Sequence, residues 1–112
     1  DVELQEFGTY SECLPALLNG TIDAVTTDDT ILAGFAAQSQ YAGKLKLAGE
    51  PFTTENYGVG LKKGDTELCE KVNAAITKMV EDGAWEAAIE ETLGAADYTP
   101  GPGNPPTPAA CS

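Results

Sequence analysis

The chain contains no histidine and only three cysteines among its 112 residues. None of the cysteines forms a C-x-x-C pair, so the usual histidine- and cysteine-built zinc sites are nearly excluded. No apolar run approaches the ~18–20 residues that span a bilayer. No G-x-G-x-x-G, P-loop or G-x-S-x-G occurs, which leaves nucleotide binding and serine-hydrolase chemistry without a foothold. Basic residues are scarce, six against eighteen acidic ones, giving a formal net charge of −12. Such a surface repels phosphate backbones and anionic membranes, because nucleic-acid binding needs clustered cations that release counterions. No start methionine, basic n-region or apolar h-region is present. The opening at Asp1, directly before a strand-like segment, reads as a mature fragment or excised piece.

What remains is ordinary for one small folded domain: 42% hydrophobic residues and length enough for a modest core. Val2 to Phe7 alternates as a half-exposed strand. Thr9-Tyr10-Ser11-Glu12 has capping-box spacing and opens a helix with Leu14, Leu17 and Leu18, stopped at Asn19-Gly20. Ile22 to Thr27 reads as a strand. Asp28 and Asp29 precede a second helix with Ile31, Leu32, Phe35 and Ala36 on one stripe. Lys44 to Leu47 alternates again, and Gly49-Glu50-Pro51-Phe52 breaks the pattern. Tyr57, Val59 and Leu61 alternate with Gly58 and Gly60, a strand with a bare face. The longest helix is predicted from about Asp65 to Asp82, with Leu68, Val72, Ile76, Met79 and Val80 on one face and a Glu67–Lys71 pair outside. Gly83 ends it, and a short helix through Trp85, Ala88, Ile89 and Leu93 follows, stopped by Gly94. The order β-α-β-α-β-β-α-α-tail predicts an α/β fold with a mostly parallel sheet flanked by helices.

The tail from Thr99 to Pro108 is rich in proline and glycine and cannot form helix or sheet. A cysteine beyond it, Cys111, points to a tail tied back to the body, with Cys69 as partner; free thiols or pairing with another chain are the alternatives. Closing that loop of roughly 40 residues contributes about 4 kcal/mol in the chain-entropy picture. A disulfide there would place the protein outside the cytosol.

One stretch has site character. Ile22-Asp23-Ala24-Val25-Thr26-Thr27-Asp28-Asp29 delivers carboxylates at the end of an apolar segment, where a helix begins. In open α/β sheets ligands bind outside the carboxyl ends of strands. Backbone N–H groups and the helix N-terminus keep an aspartate ionised there. An ionised, partly dry carboxylate suits an ammonium group. By pattern alone, a cap on the following helix is the favoured role for Asp28 or Asp29, ahead of a ligand role.

Tyr10-Ser11-Glu12-Cys13 through Asn19-Gly20, followed by Ile22 through Gly34, resembles the second-lobe signature of polar amino-acid-binding proteins, the extracellular solute-binding proteins of bacterial ABC importers. Gly49-Glu50-Pro51-Phe52 and Asn56-Tyr57-Gly58-Val59-Gly60-Leu61-Lys62-Lys63-Gly64 resemble that family's return crossover and re-entering strand. Asp82-Gly83-Ala84-Trp85 resembles the turn between its final helices. The Asp28-Asp29-Thr30-Ile31-Leu32-Ala33-Gly34 run and the Pro-rich tail ending near a cysteine are similar to glutamate-binding lipoproteins of high-GC Gram-positive bacteria.

The resemblance implies the carboxy-terminal half of a type II periplasmic-binding-protein-like fold. Residues 1–48 would belong to the second lobe, 49–53 to the return hinge, 54–94 to the first lobe and 95–112 to the tail. It implies glutamate or a related polar amino acid as ligand, an ABC permease as partner, and no cofactor or metal. It also implies an extracellular location, anchored through an absent amino-terminal lipoprotein segment. Asp28 matches the aspartate that holds the ligand's α-ammonium, with Thr27 beside it, and Asp29 is left as the helix cap. The arginine that pairs with the ligand's α-carboxylate has no match and would lie in the missing amino-terminal half. Cys13 would have its partner there too, unless it is a small buried thiol. Other classes find less support. An enzyme could use Asp28 or Glu50 as acid or base, yet neither has a histidine or nucleophile to work with. A sensor ectodomain would need a membrane segment, and a stand-alone structural or interaction module would reuse half the fold without a ligand.

Overall fold

The computed structural model describes all 112 residues. Four α-helices form: α1 (Tyr10–Leu18), α2 (Asp29–Ala36), α3 (Thr66–Glu81) and α4 (Ala84–Leu93), the last running into a 3₁₀ turn at Gly94–Ala96. All four fall within a residue or two of their sequence signals. At the start of α1, the Glu12 carboxylate accepts from the Gly8 and Thr9 N–H groups at 2.9 and 3.2 Å, filling the role the capping box predicts. The helix runs through Pro15, whose missing N–H costs it one rung. Asp65 caps α3, accepting from Leu68 N–H at 3.1 Å, and the Lys71–Glu67 pair at 2.6 Å lies on its outer face.

Between α3 and α4 the chain reverses at Gly83, whose φ of 77° a side chain would strain. Asp82 steadies this turn. Its carboxylate accepts from Lys78 at 2.5 Å and from Ala84 N–H at 3.1 Å. The ammonium contact first, and the Ala84 amide second, hold its carboxyl below the usual aspartate value.

The predicted sheet does not form. Segments 2–7, 22–27, 44–47 and 57–61 contain no strand, and from residue 45 to 61 no backbone group bonds to another. The cause is physical. A helix closes its hydrogen bonds within itself, whereas a strand needs a neighbour for every second N–H and C=O. An alternating segment without a neighbour stays extended and wet, and Val2, Leu4 and Val59 are 96%, 76% and 62% exposed.

The core is small. Only Leu14, Ala33, Ala36 and Leu93 are buried. Three of these join α2 to α4, where Leu93 lies over Gly34 with its Cδ2 3.8 Å from where a Cβ would stand. The stripe predicted on α2 is thus buried through Ala33 and Ala36, while Ile31, Leu32 and Phe35 are half-covered. Helix α1 packs against no other helix, and α3 buries none of its residues. Leu93→Ala is expected to cost about 2–5 kcal/mol. With so few buried side chains, loss of α2 and α4 ellipticity at lower temperature in a circular dichroism melt would register it.

Total exposed surface is 8746 Å², against ~5,800 Å² for a compact protein of this mass. The radius of gyration is 17.2 Å, against ~13 Å for a compact chain of this length. Much apolar surface is therefore left uncovered.

The tail is held more firmly than its composition alone requires. Cys69 and Cys111 form a disulfide with a Cα–Cα distance of 6.0 Å. Asn73 on α3 donates to the Ala109 carbonyl at 2.7 Å. Pro106, Thr107 and Pro108 meet Thr77, Val80 and Glu81 near the other end of α3. The tail thus returns along the helix, antiparallel to it. Lengths agree: five residues from Pro106 to Cys111 extend ~16 Å as polyproline II, and eleven from Val80 back to Cys69 rise ~16 Å as α-helix. Cys13 is a half-buried free thiol, its Sγ 3.7 Å from the Thr9 carbonyl oxygen.

Candidate functional site

The segment that ends at Asp28 arrives in an extended conformation (φ −57°, ψ 139°), and α2 starts at the next residue. Asp28 therefore occupies the N-cap position, but its side chain makes no capping hydrogen bond. Its Oδ2 accepts instead from the Tyr57 hydroxyl, 29 residues further along. Its Oδ1 accepts no hydrogen bond from the chain. Thr27, half-buried beside it, likewise has no side-chain hydrogen bond.

Asp29 behaves differently from the sequence expectation. It is the first residue inside α2, not its cap. Its Oδ1 accepts from the neighbouring Thr30 N–H at 2.7 Å, one of the first-turn donors that a helix leaves open. Its Oδ2 accepts from the Tyr98 hydroxyl at 3.2 Å. The reason lies in the position. From N1 the short carboxylate reaches the adjacent amide, and the tail following α4 brings Tyr98 within range of its other oxygen.

Two neighbouring carboxylates are thus in unlike states. Asp29 has both oxygens engaged, whereas Asp28 has one engaged and one open. Both sit at the positive end of α2, where anions are favoured. Chemically, an open carboxylate oxygen held at a helix start accepts hydrogen bonds from an ammonium, and no group of three or more histidine, cysteine or acidic residues is placed to hold a metal ion. Glu50, the other carboxylate with acid–base potential, is exposed in the bare 49–60 segment.

The tyrosines register these contacts. The Tyr57 phenol is raised above the ordinary tyrosine value, chiefly by its hydrogen bond to Asp28, with some desolvation adding and the Thr30 side chain opposing. Tyr98 is raised first by burial, then by the charge of Asp29 and the hydrogen bond to it. A group with its folded value raised stabilises fully below its unfolded value and loses that contribution as pH climbs through the folded one. Both contacts should therefore be intact at neutral pH and fail only above about pH 10. In a tyrosinate absorbance titration, the Y57F/Y98F double variant should lack the late-ionising component of the parent chain.

Neither tyrosine is a candidate by local pattern. Tyr57 reads as a strand residue and Tyr98 as part of the tail, and separations of 29 and 69 residues are invisible to helix or strand periodicity.

Comparison with known proteins gives the site its context. The chain is 46% identical over 98 residues to a glutamate-binding protein of Corynebacterium efficiens and 47% identical over 98 residues to that of Corynebacterium glutamicum. It is 40% identical over 93 residues to an ABC transporter glutamine-binding protein of Bacillus subtilis. Each match covers 83% of this chain but only 32–33% of the relative, so the chain spans about a third of their length. No family model matches, and no solved structure does. All three relatives are binding proteins by name, and the third is named as part of an ABC transporter. The chain is thus a homologue, over most of its own length, of ABC-transporter solute-binding proteins for glutamate and glutamine.

Proposed function

We propose that this chain supplies the ammonium-recognising side of an amino-acid capture site in the solute-binding component of an ABC importer. Glutamate is the favoured ligand, because two relatives at 46% and 47% identity carry that name. The observation that carries the reading is the open Oδ1 of Asp28 at the start of α2, beside an Asp29 whose oxygens are both engaged. Thr27 offers a hydroxyl next to it for a second ligand contact.

The other side of the site belongs to a longer polypeptide. All six basic residues here are lysines, and none lies within 4 Å of either aspartate. A group that neutralises the ligand's α-carboxylate therefore comes from the amino-terminal half. Residues 1–48 belong to the second lobe, 49–53 to the return hinge, 54–94 to the first lobe and 95–112 to the tail. In that complete protein the bare segments 2–7, 22–27, 44–47 and 57–61 join mostly parallel sheets of a type II binding-protein fold. The surplus exposed surface supports this. Some 2,900 Å² beyond the compact expectation is the size of an obligate protein interface. The complete protein works outside the cell, anchored as a lipoprotein, and presents its closed lobes to a permease.

Thermal-shift and calorimetric titration of the complete protein with single amino acids tests the reading. A selective ligand stabilises by RT ln(1 + [L]/Kd), about 2.7 kcal/mol at a hundredfold excess over Kd. Glutamate, with glutamine or aspartate as weaker competitors, is expected to shift the midpoint. No shift with any amino acid would overturn the assignment.

A further inference from the structure

Tyr57 emerges from the segment just after the 49–53 crossover and reaches back to the start of α2. Tyr57 is 75% exposed, so the contact is not a by-product of core packing. The hydroxyl engages one oxygen of Asp28 only. A carboxylate on a short side chain otherwise turns about its terminal bond, which is broad and roughly two-fold in preference. A donor on Oδ2 stops that rotation and leaves Oδ1 at a defined place.

We propose that Tyr57 is the positioning residue of the capture site: its hydroxyl holds Asp28 by Oδ2 so that Oδ1 stands ready for the ligand's ammonium. The proposal rests on the capture role of Asp28 put forward above. Several observations support it. Asp29, one residue on, is held by a different tyrosine and by its own helix, so the two phenols sort the two carboxylates into one spent and one poised. The hydrogen bond to Asp28 raises the Tyr57 phenol above the ordinary tyrosine value, so the donor keeps its proton at neutral pH. Residue 57 also lies on the far side of the crossover from residue 28. The contact therefore ties the re-entering segment to the site. Preorganisation of this kind raises affinity by removing ordering from the binding step.

The test is a double-mutant cycle in the complete protein, read by calorimetry with glutamate and by the thermal midpoint without ligand. Tyr57→Phe removes the hydroxyl and keeps the exposed ring. Affinity should fall about tenfold to a hundredfold, the range of one hydrogen bond to a charged group, while the unliganded midpoint stays within about 2 °C of the parent. In the Asp28→Asn background the same change should have little further effect, since the oriented anion is gone. Tyr98→Phe should leave affinity within about threefold of the parent, since its hydroxyl bonds Asp29 and makes no bond to Asp28. If Asp28→Asn leaves affinity intact, the capture role falls and this proposal with it. If Asp28→Asn weakens binding but Tyr57→Phe does not, the capture role stands and the positioning role is wrong. Tighter binding by Tyr57→Phe would make the phenol a competitor for Asp28, and additive losses in the double variant would make it act elsewhere; either overturns the proposal.

Discussion

Asp28→Ala in the complete protein is expected to weaken amino-acid binding by about 10²–10³-fold. An ammonium drawn into a closing cleft gives up its water, and its cost is met only if a carboxylate replaces that water. Removing one partner of such a pair costs about 3–5 kcal/mol, which at 1.4 kcal/mol per decade gives the stated range. Asp29→Ala should do something else. It releases Tyr98 and the Thr30 amide, both of which serve the body of the chain. The expected cost is about 1 kcal/mol of stability, the usual size of a lost first-turn hydrogen bond, with affinity within a few-fold of the parent. Calorimetry and thermal melts on the two variants separate a ligand group from a structural one, although the residues are adjacent in sequence and alike in chemistry.

Opening the Cys69–Cys111 bridge carries the other large effect. The bond closes a loop across a sequence separation of 42 residues, worth about 4 kcal/mol by loop-closure entropy. In a chain with four buried residues, that is comparable to the total stability of a small domain. The C69S/C111S variant, or the parent under a dithiol reductant, should melt at lower temperature and lose the protection of Asn73 and the tail. Limited proteolysis within residues 99–110 reports the release directly. An unchanged cleavage pattern would mean that Pro106, Pro108 and the Asn73–Ala109 contact hold the tail unaided.

The helices and the sheet show which physics a sequence carries locally. Helix α3 was legible to within a residue because Asp65 caps it, its apolar stripe repeats at the helical period and Gly83 stops it. All of that information lies inside the segment. Segments 2–7 and 57–61 carry equally clear alternation and form no strand, because the edge each needs is not encoded in its own residues. The resemblance to a binding-protein family was legible in Ile22 through Gly34 and in the Asn56-Tyr57-Gly58 run, and the relatives agree with it.

The candidate site was partly legible. Asp28 stood out as a carboxylate ahead of a helix, but a cap and a ligand group look the same in one dimension. Asp29 reads as the cap in the sequence, yet it sits at the first helical position, bonded to its neighbour and to Tyr98. The decisive partners, Tyr57 and Tyr98, come from across the crossover and from beyond α4. Contacts at that sequence separation belong to the tertiary fold, and no periodicity announces them.

A crystal structure of the complete protein with glutamate bound decides whether Asp28 holds the ligand's ammonium. Glutamate should lie in the cleft with its ammonium nitrogen ~2.7–3.2 Å from Asp28 Oδ1 and the Tyr57 hydroxyl still on Oδ2. An ammonium held by some other carboxylate, with Asp28 turned onto the amides of α2, would contradict it.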